Sequence, residues 1–465
     1  MSELSTKIDD FFHISERGSD IRTEIRGGII TFLAMLYILA VNPSILSSTT
    51  GIDFQDLVGA TALAACVSCL LMGLYARFPL ALAPGMGINA FVAFTIVGAM
   101  GFDYYSALMA VFISGVLFLI LTVTGIRHKI MDGIPLIIKL AISGGIGFFI
   151  VMVGLFNAGI IVHGEGSALT LGELGSPGVL LGLFCILTTL ALWYRNHWSA
   201  VLIGAILTVI VGFIGGQLFG WDTTVNGMSL IPGVGTATVD AIVTTPNFGL
   251  FGDVFTHFEL FDIKMWPAFI VSVISLLVVD VFDTTGTLVA AGNAAGVIDD
   301  EGNVEGNEKV FMTDSLATVF GAVAGTSTTT SFVESTTGIT AGARTGLMAV
   351  VVGIMFFLAL FFTPVFSIVT SACTVGALVI VGFMMIRTVK DINWMNPISL
   401  ATAFTTIFMM GLAGSITDGI ALGSMVYLWG MVLTGKKSEI PTVMKVIGVV
   451  FLVYFVLTYT VIPNI

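Results

Sequence analysis

The chain is built almost wholly of apolar runs long enough to cross a bilayer, and lipid admits only architectures that satisfy every backbone polar group internally. Runs of about 17 to 25 apolar residues read as transmembrane helices. They fall at 28–47, 57–75, 84–100, 104–124, 133–158, 176–193 and 199–218, and then at 266–290, 311–325, 327–343, 346–369, 371–388, 396–412 and 415–435. Composition agrees, since 10% of the 465 residues are charged where a soluble domain carries about 25%. The expected fold class is an all-α polytopic membrane protein of about 14 spans. Its 54 glycines suit close helix contacts and interrupted helices.

Basic residues set the expected orientation, because cytoplasmic connections hold the excess of Lys and Arg. With the N-terminus inside, Arg17, Arg22, Arg26, Arg77, Arg127, Lys129, Arg195, Lys309, Arg344, Arg387, Lys390, Lys436 and Lys437 all fall in or beside cytoplasmic segments. The connection 219–262 has neither Lys nor Arg, and Lys264 follows it. Seven spans per half is an odd number, so the halves are inverted, the plan of many secondary transporters. The expected divisions are a cytoplasmic N-terminal segment 1–27, a first repeat 28–218, an external loop 219–265, a second repeat 266–435 and a C-terminal hydrophobic segment 436–465. Within the last, 442–462 is long enough to cross again or to pack peripherally. The polar N-terminus lacks the basic region and short apolar core of a cleaved signal, so the first span is read as an uncleaved anchor. The net charge of −12 comes largely from loops such as 298–308 and points to no nucleic acid or other charged partner.

Acidic residues inside the spans carry the functional information. Asp at a helix centre costs roughly 2.5 to 3.5 kcal/mol on insertion scales, so such residues face a protein-lined or wet cavity. Asp280 and Asp283 lie in PAFIVSVISLLVVDVFDTTGTLVAAG, with Thr284 and Thr287 at helical spacing, and the four are expected on one face. Two like charges this close and out of water favour sharing a proton as a coupled pair. Bracing of the helix interior is the structural alternative, chiefly for Asp283. A third acid, Glu334, lies in GTSTTTSFVESTTGITAGARTG among Thr328, Thr329, Thr330, Ser331, Ser335, Thr336 and Thr337. Hydroxyls at this density satisfy backbone groups where a span is not continuous helix. A carboxylate there suits a planar neutral substrate with adjacent N–H groups. An ion pair with Arg344 is disfavoured by the separation of about 15 Å that ten helical residues would impose.

The corresponding span of the first half opens with Pro84, Gly85 and Gly87 and carries Asn89. Paired interrupted segments at matching positions point to a midplane binding site. Asn89, both donor and acceptor, is expected to bridge Asp280 or the substrate, or else to join two helices. Remaining candidates read as structural. Cys66, Cys69, Cys185 and Cys373 lie in apolar runs and suit packing. Asp418 suits a helix start, and Arg77 and Lys139 suit span ends. His13, His128, His163, His197 and His257 fall in loops. No metal site or catalytic set is expected, and no GxxxxGK[ST] motif marks an ATPase.

Three segments in order, APGMGINAF (83–91), VVDVFDTTGTL (278–288) and TSFVESTTGITAGARTGL (330–347), closely resemble the azaguanine-type purine permeases, the hypoxanthine, guanine and adenine branch related to uracil and xanthine permeases. The resemblance runs from about Phe11 to beyond Met425. It implies the uracil-permease-like fold, a 7+7 inverted repeat in which spans 1–4 and 8–11 form a core domain and spans 5–7 and 12–14 a gate domain, with short extended strands in spans 3 and 10. It also implies import of a purine by proton symport across the cell's inner membrane, with no cofactor and no enzymatic activity, and it leaves a homodimer open as the assembly. Carried over residue by residue, Asp280, Glu334 and Asn89 would bind the purine, and Asp283, Thr284 and Thr287 would support proton coupling. The QNxGxxxxT motif of the xanthine branch is replaced by FVESTTGIT, which argues against xanthine or uracil as main substrate. Two other classes compete. An anion carrier of the same fold would be repelled by central carboxylates, and an intramembrane aspartyl protease needs its aspartates on two spans, with a GxGD sequence that is absent here.

Overall fold

The computed structural model describes residues 3–125, 133–164, 169–195, 197, 199–225, 228–235, 237, 241–256, 265–295 and 307–456. Among them, ten helices are long and apolar enough to cross a membrane, and the chain is a multi-pass membrane protein. Span 1 is broken into α2 (Ile21–Met35) and α3 (Ile38–Thr50), and it follows a short N-terminal helix, α1 (Glu3–Phe12). The first half continues with α4 (Phe54–Leu71), strand β1 (Leu82–Pro84), α5 (Met86–Ala90) running on as a wider coil to Ala99, α6 (Tyr104–Val123), α7 (Leu136–Asn157), α8 (Pro177–Tyr194) and α9 (Ala200–Phe219). The second half comprises α10 (Trp266–Ala295), α11 (Asn307–Ala324), strand β2 (Thr329–Ser331), α12 (Ser335–Thr340), α13 (Gly346–Ala359), α14 (Ser371–Ile386), α15 (Pro397–Ala413), α16 (Ile416–Leu433) and α17 (Thr442–Val456). Every run read from the sequence therefore meets a structural element.

Local chemistry sets many of the boundaries. Asp20, Asp53, Asp103, Ser176, Thr345, Asn396 and Ser415 each accept a backbone N–H at the first turn of a helix, satisfying donors that the helix leaves orphaned. Pro177 and Pro397 occupy first helical positions, where a missing N–H is harmless. Asp418 lies in the first turn of α16, its amide donating to Ser415 Oγ. The last helix, α17, packs on α16 and α10 and buries Met444, Phe451 and Tyr454; the rest of the 442–462 run lies outside the described residues.

The helices fall into two packed groups. One joins α2, α3, α4, α6, α10, α11, α12 and α13, and the other joins α7, α8, α9, α14, α15 and α16. Close approach depends on glycine: a methyl on Gly28 would stand 2.6 Å from Val351 Cβ and 2.8 Å from the Met348 carbonyl. Gly28→Val therefore overpacks the α2–α13 contact. The expected cost is about 1–3 kcal/mol, seen as a lower melting temperature of the purified protein; an unchanged melting temperature would mean that α2 moves aside freely.

Spans 3 and 10 are the irregular ones. Pro84 and the run of threonines favour extended backbone, and β1 pairs antiparallel with β2 in the register Leu82↔Ser331, Ala83↔Thr330, Pro84↔Thr329. The ladder extends at both ends, with the Gly85 amide on the Thr328 carbonyl at 3.0 Å and the Phe332 amide on the Ala81 carbonyl at 2.9 Å. Backbone groups that would otherwise be orphaned at membrane depth are thus satisfied across the repeat boundary. The N-terminal segment pins the far end of span 10: buried Glu24 accepts the amides of Arg344 and Thr345 at 2.7 and 3.3 Å. Arg77 lies 4.2 Å over the Phe11 ring.

Candidate functional site

Where β1 and β2 cross, the helices that follow them start toward a cavity of about 400 Å³, within the usual range for small-molecule sites. The site is built around the two broken spans. Gly85 and Gly87 line one wall, and both are needed there: a Cβ on Gly85 would meet Thr330 Cγ2 at 2.5 Å, and one on Gly87 would meet Ile146 Cγ2 of α7 at 2.6 Å. Asp283 and Thr287 of α10, Ser331 and Glu334 of span 10, and Lys139 and Ser143 of α7 supply the polar lining. Apolar side chains, among them Ile146, Phe332 and Met385, complete the wall.

Glu334 sits between β2 and α12, and its Oε1 accepts the Tyr37 hydroxyl at 2.6 Å. Tyr37 stands between α2 and α3, and its ring is buried. Arg344 does not pair with Glu334; its guanidinium donates to the Ile339 and Ala343 carbonyls. Loss of one neutral donor costs about 1 kcal/mol, so Tyr37→Phe should weaken ligand binding roughly fivefold. Titration of ligand-induced thermal stabilisation would read this, and unchanged affinity would remove Tyr37 from the site.

The four polar residues of α10 do not share one environment. Asp283 and Thr287 face the cavity, whereas Asp280 and Thr284 are buried behind its wall. A three-residue step rotates a helix by about 300°, leaving the two aspartates about 60° apart, and the packing of α11 and β2 against one side separates them. Asp280 Oδ2 accepts from Thr318 of α11 at 2.8 Å, and its Oδ1 has no hydrogen-bond partner. Thr284 donates to Asp314 at 2.6 Å and lies 2.9 Å from the Thr330 hydroxyl. Asn89 is also behind the wall: its amide contacts the Pro84 carbonyl at 3.4 Å and its oxygen accepts from Ser327. It ties β1 to the approach to β2 and contacts neither Asp280 nor the cavity.

Sequence reading missed Asp314, which is fully buried on α11 and accepts from Thr284 and from Ser331 at 3.2 Å. An acid inside a predicted span is a functional candidate by the rule that singled out Asp280. Around the strand crossing the structure therefore gathers Asp280, Asp283, Asp314 and Glu334. Such a cluster suits binding of N–H donors from the cavity and of a proton or small cation behind it. The glycines of the run 143–149 serve close approach, Gly147 to the Gly382 carbonyl at 2.7 Å for a built Cβ. The four cysteines are buried, and Cys69 Sγ contacts the backbone of Leu82.

Residues 22–422 match the Permease family, Xan_ur_permease. The guanine/hypoxanthine permease PbuG of Bacillus subtilis is 41% identical over 96% of this chain and 99% of its own length. The adenine permease AdeQ of Escherichia coli is 36% identical over 98% of both chains. Among solved structures, the transmembrane domain of a cyanobacterium bicarbonate transporter, BicA, superposes with a TM-score of 0.56 at 14% identity, covering 93% of this chain and 97% of that one. The murine Solute Carrier 26 family member A9 anion transporter, in the inward-facing state, gives a TM-score of 0.60 at 10% identity, over 89% of this chain and 69% of that one. At these identities the two structures speak to the fold alone.

Proposed function

The chain belongs to the Permease family, and from that premise we propose that it imports purine nucleobases (hypoxanthine, guanine or adenine) by proton symport with alternating access. The observation that carries the reading is the cluster of four carboxylates at the β1–β2 crossing, two of them buried and two lining a cavity of about 400 Å³. Relatives named as guanine/hypoxanthine and adenine permeases support it over nearly the full chain.

A neutral purine presents a planar ring with N–H donors on both edges. Glu334, held by Tyr37, accepts N–H groups from one edge, and Asp283 across the cavity accepts from the other. Asp280 and Asp314 form the compartment behind. Two buried carboxylates without a cationic partner are costly when both are charged, so one proton shared within the pair stabilises the loaded state. Thr284 and Thr330 connect that compartment to β2 and hence to the wall carrying Glu334. Asn89 positions the two strands and does not touch the base. Neutralising the cluster lowers the cost of moving the loaded core past the gate, and release of the base to the cytoplasm frees the proton. The N-terminus lies on the cytoplasmic side of the inner membrane in this scheme, as the distribution of Lys and Arg supports.

An anion carrier is the competing reading within the fold, and the carboxylates disfavour it. Purified protein should melt at a higher temperature with hypoxanthine or adenine and at an unchanged temperature with bicarbonate or sulfate. Stabilisation by the anions and by neither base would reverse the choice.

A further inference from the structure

A second cavity, of about 240 Å³, also ends at Glu334. It is lined by Tyr37, Trp193, His197, Ser199, Thr336 and Thr337, and it shares Val333, Glu334, Val381 and Met384 with the larger one. The partition is made by Val381 and Met384 of α14. Met384 is 39% exposed, and an unbranched thioether repacks readily around a passing ligand. Consecutive spans run in opposite directions, so the start of α7, where Lys139 lines the first cavity, and the end of α8, where Trp193 lines the second, lie on the same side of the membrane. Glu334 is thus reached from one side by two routes, one on each flank of α14.

We propose that the second cavity is a transit station for the planar base, a separate route between Glu334 and solvent, bounded by the α8–α9 connection. The inference rests on the purine reading above. The lining matches a neutral nitrogen heterocycle: the Trp193 indole offers a stacking face for a ring of any substitution, and Thr336, Thr337, Ser199 and His197 offer polar groups around it. Tyr37 bonds Glu334 from this flank, so its hydroxyl marks the threshold between station and main site. An inorganic ion would have no use for an indole wall.

The test uses the full chain in proteoliposomes. Its four native cysteines are buried, which keeps background labelling low. Thr336→Cys and Thr337→Cys, both at half-buried positions on the cavity wall, are each treated with a thiol-specific maleimide, and each variant is compared with itself before and after modification. Modification should lower uptake of labelled hypoxanthine about twofold, the remaining flux passing through the larger cavity, and excess hypoxanthine should slow the labelling. Base-induced thermal stabilisation should keep its midpoint within about twofold, because the main site stays open through the larger cavity. Trp193→Ala offers a check without labelling, with maximal uptake up to about twofold lower and the same midpoint. Complete modification with unchanged uptake, labelling indifferent to the base, or loss of stabilisation together with uptake would overturn the proposal. If the unmodified protein neither binds nor imports any purine, the family-based reading fails instead, and the two failures are distinct.

Discussion

Replacing Glu334 by Gln is expected to abolish high-affinity purine uptake while the protein still reaches the membrane. Glu334 is the one carboxylate that lines both cavities, and its Tyr37 partner fixes one oxygen. Gln keeps the shape but replaces an acceptor with an N–H donor and removes the charge. A hydrogen bond to a charged group contributes about 1.5–3 kcal/mol, so affinity should fall roughly 10- to 150-fold. An N–H now facing the N–H of the base would push the loss to the upper end. Uptake of labelled hypoxanthine and adenine, with membrane protein quantified in parallel, decides it. Retained wild-type affinity would take Glu334 out of the binding site.

Asp314→Asn should separate coupling from binding. Asp314 is fully buried and does not line the cavity, so the base loses no contact. Its hydroxyl donors, Thr284 and Ser331, lie on α10 and β2; the amide oxygen of Asn still accepts from one of them, and the other hydroxyl can turn to accept from the NH2. What disappears is the second carboxylate beside Asp280, and with it the site for the shared proton. Concentrative uptake should fall to a tenth of wild type or less and lose its sensitivity to a proton uncoupler. Exchange of labelled for unlabelled base at equal concentrations should persist at half the wild-type rate or more. Unchanged uncoupler sensitivity would contradict the coupling role, and loss of exchange as well would make Asp314 a purely structural residue.

The spans and their breaks were legible because they follow from strong local physics. Apolar length fixes a span, and Pro84 with Gly85 and Gly87 marks a break that the β1–β2 pairing then completes. The place of Glu334 on the cavity wall was legible for the same reason, as an acid with no nearby base in a hydroxyl-rich interruption. The relation between Asp280 and Asp283 was not. Helical spacing puts both near one face, and only the position of α11 and β2 turns Asp283 to the cavity and buries Asp280. Asn89 went the same way, since the amide that reads as a ligand is consumed by the strand crossing. Asp314 was overlooked in NEKVFMTDSLATVF because Glu308 and Lys309 make that stretch resemble a solvated helix start. Tyr37 carried no signal at all, being one aromatic in an apolar run whose hydroxyl finds its partner 297 residues away.

The most direct test of the central claim is transport by the purified chain itself: proteoliposomes with an imposed inward proton gradient, assayed for labelled hypoxanthine and adenine with and without an uncoupler. The account predicts accumulation of at least one base above its external concentration, abolished by the uncoupler and absent from empty liposomes. Proteoliposomes that hold correctly inserted protein and yet accumulate neither base, or that move bicarbonate instead, would contradict it.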